Sequence, residues 1–271
     1  MSDFRYSKTA LVTGASSGIG AEYARVLAEG GYAVVLVARR TELVDQLAAD
    51  LRERYGAAAA PLVADLGTPE GVAKVARRLR ADGAEPHGEA PVDLLVNNAG
   101  RGEGGEFAEQ DPDGVDAMLD LNTRAVLHLA RAVLPVHLAR RAAGERGHLG
   151  VINVSSMAGE LSPNPGGSLY GGTKKLVTAW SESVAAEVAG SGVHVTAVLP
   201  GFVRTDMTRG VQESGMPDAA FVARERVVRE SLRAWAAGRT RVVPGAQYKA
   251  AAGLLRVLPR GLSAAVTRRL R

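Results

Sequence analysis

The sequence contains no cysteine, which excludes a disulfide framework and any thiolate metal site and fits a reducing compartment. Aromatic residues make up only 4% of the chain, so a core has to be assembled from Ala, Val and Leu, and the 46% apolar content is enough for a sizeable one. No uncharged apolar stretch approaches the roughly 18 residues of a membrane span. The opening MSDFRYSKTA has no apolar run ahead of the first strand, so no signal peptide is expected. A concentrated basic face is missing too. The net charge is +4, but 33 Lys and Arg are interspersed with 29 Asp and Glu over most of the length, which argues against a nucleic-acid partner. The five histidines (87, 128, 137, 148 and 194) show no metal-ligand spacing and no H-E-x-x-H pair, and no G-x-S-x-G elbow exists. Neither a metal site nor a serine hydrolase is expected. The default is a soluble, cytoplasmic protein.

What the chain does contain is an alternation. Short continuous apolar runs at 9–13, 33–37, 60–64, 92–96, 149–154 and 193–199 read as buried strands. Helical stretches separate them, with Thr41 expected to cap one that carries Leu43, Leu47 and Leu51, and Pro69 to open another through about Arg80. Helices are expected near 113–120, 122–142 and 169–189, then loop at 201–216, helix at 217–237 and a last short strand at Arg241–Val243. Continuous apolar strands alternating with helices predict a doubly wound α/β fold, a Rossmann-type parallel sheet covered by helices on both faces. With no composition break, linker or repeat, residues 1–271 are expected to form a single domain.

The first strand runs into Gly14-Ala15-Ser16-Ser17-Gly18-Ile19-Gly20 and then a helix. A glycine-rich turn there lets backbone approach a pyrophosphate, and the helix N-terminus supplies N–H groups and partial positive charge. The second strand ends in Ala38-Arg39-Arg40 with no acid. An acid at that point would bind the 2′-hydroxyl of NAD; two guanidinia suit a 2′-phosphate, so NADP is the expected cofactor. If one of the two is merely solvated, Arg40 is the expected one. Asp65, followed by Leu66 after the third strand, either faces the adenine or caps the next turn.

Tyr170 and Lys174 are four residues apart and share a helix face. An ammonium beside a phenol favours the phenolate, bringing the phenol closer to useful acid and base strength. Upstream, the strand 151–156 ends in two hydroxyls, Ser155 and Ser156, which could bond the same substrate oxygen.

Thr13-Gly14-x-x-x-Gly18-x-Gly20, Asn97-Asn98-Ala99-Gly100, a serine ahead of Tyr170-x-x-x-Lys174, and Pro200-Gly201 occur in order. Over roughly residues 8–206 this resembles the short-chain dehydrogenase/reductase family. The resemblance implies a seven-stranded parallel sheet and an NADP-dependent enzyme acting on a carbonyl or alcohol. It implies that Tyr170 is the acid/base, that Lys174 lowers its pKa and binds the nicotinamide ribose, and that Asn122 holds a water of the proton relay. Ser156 takes the catalytic serine position, with Ser155 turned to the core. The Ser156–Tyr170 spacing is one residue longer than the family's, and the extra residue is assigned to the loop 162–167. The resemblance further implies cofactor contacts from Asn98, Ala99, Gly100, Pro200, Gly201, Val203 and Thr205. A lid over an apolar 3-oxoacyl, steroid-like or polyketide-type substrate is expected at 201–243. A homodimer or homotetramer would form through the helices at 122–142 and 169–189. The basic tail, 246–271, carries five arginines and no acid from Leu254 on. It is expected to pack on the substrate end or a partner subunit in preference to a membrane surface. A dinucleotide-sensing binding protein that kept the fold and lost the chemistry is the alternative, disfavoured by the intact Asn122, Ser156, Tyr170 and Lys174.

Overall fold

The computed structural model describes residues 8–82, 89–161 and 164–257, with side chains through 254. Its strands are β1 (Thr9–Thr13), β2 (Ala33–Ala38), β3 (Ala59–Val63), β4 (Leu94–Asn97), β5 (Leu149–Val154), β6 (Val193–Val198) and β7 (Arg241–Val242). They form one sheet of order β3-β2-β1-β4-β5-β6-β7 in which every pair is parallel. The chain builds outward from β1 to β3 and then returns to the other side of β1 with β4. The reversal opens a crevice at the carboxyl ends of β1 and β4, where sheets of this kind bind ligands.

Because successive strand residues point to opposite faces, each strand feeds two cores. Ala10, Val12, Leu94, Val96 and Ile152 pack against helices α1 (Gly18–Glu29), α2 (Thr41–Tyr55) and α8 (Arg224–Ala236). Leu11, Val37, Leu95 and Val151 pack on the other side against α3 (Pro69–Leu79), α5 (Ala125–Ala142) and α6 (Ser168–Glu187). Every residue of β1, β4 and β5 is buried, which is why these strands read as unbroken apolar runs. Pro61, which cannot donate to a ladder, lies on the edge strand β3.

Several boundaries differ from expectation. Thr41 is the first residue of α2, and Arg40 holds the cap position with extended backbone. The buried stripe of α2 is Val44, Leu47, Ala48 and Leu51, whereas Leu43 is exposed. The helices expected at 113–120 and 122–142 are one continuous run: α4 (Pro112–Leu119), a π turn at Asp120–Arg124, then α5. Residues 201–216 are not all loop, since they contain a 3₁₀ turn at Asp206–Thr208 and α7 (Arg209–Glu213). The helix expected at 217–237 is shortened to α8, preceded by a 3₁₀ turn at Asp218–Ala220. The tail begins as helix α9 (Ala246–Val257); its remainder, 258–271, and the loop residues 83–88 and 162–163 lie outside the described residues. No helix among the described residues is long and apolar enough to cross a membrane.

Beneath the amino ends of β4 and β5, His137 of α5 is fully buried with Nε2 2.8 Å from the Val92 carbonyl. Burial pushes its imidazole down to about 4. The unfolded chain, with a histidine near its ordinary 6.5, takes up this proton first, so stability is lost as pH falls from about 6.5 to 4. In His137→Leu the Val92 carbonyl keeps the Arg140 guanidinium, 3.0 Å away, and the chain no longer has a buried imidazole to protonate. Melting curves across that window should be flatter in the variant; an unchanged acid slope would remove His137 as the cause.

Candidate active site

The turn after β1 is shaped by close approach. Gly14 and Gly18 have φ of 65° and 58°, a region that L side chains avoid. A Cβ on Gly20 would stand 2.2 Å from the Gly14 carbonyl oxygen and 2.5 Å from Asn98 Nδ2. Helix α1 starts at Gly18 with no side-chain cap from Ser17 and no acid in its first turn, leaving its N–H groups and partial positive charge available to an anion. Ile19 packs on the core below. This backbone cradle fits the phosphates of a dinucleotide.

Arg40 donates from Nη2 to Ser16 Oγ at 3.0 Å and to Ser17 Oγ at 3.4 Å, folding its guanidinium over the turn. Arg40 stays exposed but is tied to the turn, so it is not merely solvated. The cap position of Arg40 aims its side chain back towards β1, while Arg39 points to Asp65, 3.8 Å away between largely exposed groups. Asp65 Oδ1 accepts the Gly67 N–H at 2.9 Å, so the carboxylate caps the turn after β3, and Leu66 is buried beside it.

Across the crevice, Thr13 Oγ1 accepts the N–H groups of Asn98 and Ala99 at 2.9 and 3.0 Å, and Asn98 Nδ2 donates to the Thr13 carbonyl at 2.9 Å. Asn97 Nδ2 bonds Asn153 Oδ1 at 2.9 Å, and Asn153 bonds Ser181 at 2.9 Å. These bonds lock the end of β4 to β1 on one side and to β5 and α6 on the other.

Deeper in, α6 brings its face onto the end of β5. Ser156 Oγ accepts the Ala158 N–H at 3.1 Å and bonds the Tyr170 phenol. Ser155 is buried instead, with Oγ 2.7 Å from both the Lys174 carbonyl and Thr178 Oγ1. Lys174 Nζ is 5.7 Å from the Tyr170 ring centroid and donates to the Val154 carbonyl at 3.0 Å. Gly100 borders both Lys174 and Asn122: a Cβ there would lie 3.4 Å from Lys174 Nζ and 3.2 Å from Asn122 Oδ1.

The electrostatics correct one expectation. The Tyr170 phenol is pushed up by burial, against a smaller downward pull from its bond to Ser156. Lys174, also buried, is pushed down to about 8. Desolvation thus drives both groups towards their neutral forms, and the phenol stands above its ordinary range even with the lysine one helical turn away. Asn122 is fully buried in the π turn, not at a helix start. Its Nδ2 donates to the Arg101 carbonyl at 2.8 Å and to Thr173 Oγ1 at 3.2 Å, and its Oδ1 accepts the Arg101 N–H at 2.9 Å. The side-chain amide is committed to holding the 100–102 segment over α6.

A half-buried tyrosine whose phenol meets a serine hydroxyl, a buried lysine one helical turn on and a glycine cradle at the sheet crossover meet in one crevice. Residues 8–215 match the family model described as short chain dehydrogenase. The chain belongs to the short-chain dehydrogenase family. The dehydrogenase is 34% identical over 211 residues to the oxidoreductase UcpA of Escherichia coli, spanning 78% of this chain and 75% of that protein. Among solved structures it resembles a short-chain dehydrogenase from Sphingobium yanoikuyae in complex with NADPH (34% identity, TM-score 0.77, covering 93% of this chain and 96% of that one). It also resembles the bulky-bulky ketone specific alcohol dehydrogenase from Comamonas testosteroni, at 31% identity and TM-score 0.75, covering 94% of this chain and 96% of that one. The protein is accordingly an oxidoreductase of a family that binds nicotinamide dinucleotides.

The remaining predicted positions of this dehydrogenase lie on the segment after β6. The Pro200 carbonyl accepts the Met157 N–H at 2.9 Å, tying it to the Ser156 turn. Val203 is buried. Thr205 leans on the glycine-rich turn, its Cγ2 3.1 Å from where a Gly18 Cβ would be. Within the loop assigned the extra residue, Asn164 and Gly167 close a turn. Two contributors escaped sequence reasoning. Thr13 was present in the quoted motif, and its position ahead of Gly14 was the available signal. Arg101 acts through its main chain, which leaves no pattern in the sequence. Met207, one of the apolar residues of the expected lid, approaches Tyr170 across Gly102.

Proposed function

We propose that this dehydrogenase is an NADPH-dependent reductase that converts an apolar ketone to the alcohol, a reaction it also runs in reverse. The observation that carries this is the Ser156–Tyr170 pair beside buried Lys174, facing the crevice at the β1–β4 crossover. The bound dinucleotide supplies the hydride. The chain does the rest. Ser156 and Tyr170 hydroxyls bond the substrate oxygen, and Tyr170, kept protonated by its raised pKa, gives that oxygen its proton as negative charge builds there. The Lys174 ammonium stabilises the phenolate that remains, and its N–H groups serve the nicotinamide ribose.

NADP is favoured because the end of β2 offers Arg39 and Arg40 and no carboxylate, with Arg40 laid across Ser16 and Ser17 where a 2′-phosphate would be met. An apolar substrate is favoured by the lid, which presents Phe202 and Met207 partly exposed, Met207 beside Tyr170. The Comamonas testosteroni relative's bulky ketones agree with such a pocket. The protein is assigned to the cytoplasm as a homodimer or homotetramer. The apolar groove of about 370 Å³ between α4 and α6, lined by Phe107, Leu119, Leu169 and Leu176, supports subunit contact there.

NADPH consumption against carbonyls of increasing apolar size, with NADH run in parallel, tests this reading. Turnover that prefers NADPH and rises with apolar bulk is the expected result; NADPH binding without turnover on any carbonyl would favour the sensing protein instead. In the same assay Arg40→Ala should raise the KM for NADPH about ten-fold, the worth of one charge-assisted bond, and leave that for NADH unchanged. Equal effects on both cofactors would mean that Arg40 does not meet a 2′-phosphate.

A further inference from the structure

The lid is held by a side chain from outside it. Tyr248, on α9, lays its ring over Gly201, where a Cβ would stand 2.1 Å from the ring carbons. Its hydroxyl accepts the Phe202 N–H at 3.0 Å and donates to the Ala220 carbonyl at 2.8 Å. Phe202 and Ala220 belong to the two limbs of the lid, which are joined to each other by the Val222 N–H on the Phe202 carbonyl at 2.8 Å. Further out, Arg204 lies 4.1 Å from the Phe221 ring centroid and pairs with Asp218. One phenol thus spans both limbs at their base.

Each end of this fastening leads to the site. From Phe202 the chain runs through buried Val203, whose carbonyl accepts Thr208 Oγ1 at 2.6 Å, to Thr205 against the glycine-rich turn and Met207 beside Tyr170. On the other side, Tyr248 and Val243 pack on a buried cluster of Met157, Ala197, Leu199 and Ala252. Met157 follows Ser156 directly and bonds Pro200.

We propose that Tyr248 is a positioning residue: its hydroxyl sets the spacing of the 200–204 and 218–222 limbs and thereby places Thr205 at the dinucleotide turn and Met207 at the substrate side of Tyr170. It touches no reacting atom. The kinetic part of this inference rests on the reductase reading; the structural part does not.

Tyr248→Phe keeps the ring on Gly201 and removes both hydroxyl bonds. Amide exchange across 201–222 should accelerate about ten-fold, while that of β5 stays as in the parent. The KM values for dinucleotide and carbonyl should each rise about ten-fold with kcat nearly unchanged, the mark of lost positioning and not of lost chemistry. Gly201→Ala, which pushes the ring off, should give the same exchange pattern with Tyr248 intact. Unchanged exchange in 201–222 in Tyr248→Phe would overturn the fastening. Faster exchange with parental KM values would overturn its link to the site. If no carbonyl is turned over even by the parent, the reductase reading fails separately, and the Kd for NADPH replaces KM: a rise in Tyr248→Phe supports the proposal and an unchanged Kd overturns it.

Discussion

Tyr170→Phe should bind NADPH as the parent does and lose turnover by about a hundred- to ten-thousand-fold, the range for removal of a positioned acid. The substitution deletes one oxygen. The ring stays where it packs, 3.4 Å from the Cβ position of Gly102, and Ser156 keeps its Ala158 N–H. Neither the glycine cradle nor the Arg40 bonds to Ser16 and Ser17 involve the phenol, so affinity for the dinucleotide has no reason to fall. What is lost is the proton for the substrate oxygen. Burial raises the phenol's pKa, so in the parent that proton is present throughout the neutral range. Turnover close to the parent's in Tyr170→Phe would sink the mechanism and leave the fold and the cofactor site untouched. Weakened NADPH binding in the variant would instead show that the hydroxyl is part of the cofactor site.

The parallel sheet was legible because both faces of β1, β4 and β5 are covered, which forces unbroken apolar runs. The glycine turn was legible because close backbone approach admits no other residue at Gly20. The four-residue step from Tyr170 to Lys174 was legible because helix geometry converts spacing into a shared face. The failures have equally definite causes. On α2 the expected Leu47 and Leu51 are buried, but the neighbouring Val44 takes the place given to Leu43 at the edge of the stripe, a choice that only packing against the sheet decides. The π turn at Asp120–Arg124 inserts within a helix without any change of composition, and such turns are frequent at functional sites. Arg39 and Arg40 are chemically identical; the cap geometry of α2 separates them. Tyr248 is 46 residues from Phe202, a contact that only the folded chain creates.

Lys174 ties the site's chemistry to the protein's stability. Its ammonium is buried with the Val154 carbonyl as its hydrogen-bond acceptor, and burial lowers it from 10.5 to about 8. In the unfolded chain the same lysine holds its proton up to about 10.4. Between these values the unfolded state binds more protons, so stability rises with pH, by about 3 kcal/mol over the window. At neutral pH that amount is a standing cost of keeping a cation in the site. Above about pH 10 the trend turns over, because Tyr23 and Tyr170 have raised pKa values and their phenols ionise first in the unfolded chain. From these groups the parent should be most stable near about pH 10. Lys174→Met should lose the rise and keep the fall. It should also lose most reductase turnover, because no cation remains to stabilise the Tyr170 phenolate. In the parent, carbonyl reduction should decline above about pH 8 as the ammonium titrates. Chemical denaturation from pH 7 to 11 on both proteins, alongside the pH profile of NADPH consumption, reads all three effects. A parent stability curve with no more rise between about pH 8 and 10 than that of Lys174→Met would mean that the lysine keeps an ordinary pKa. A reduction rate unchanged through pH 8 to 10 would mean that the ammonium is not what supports the phenolate.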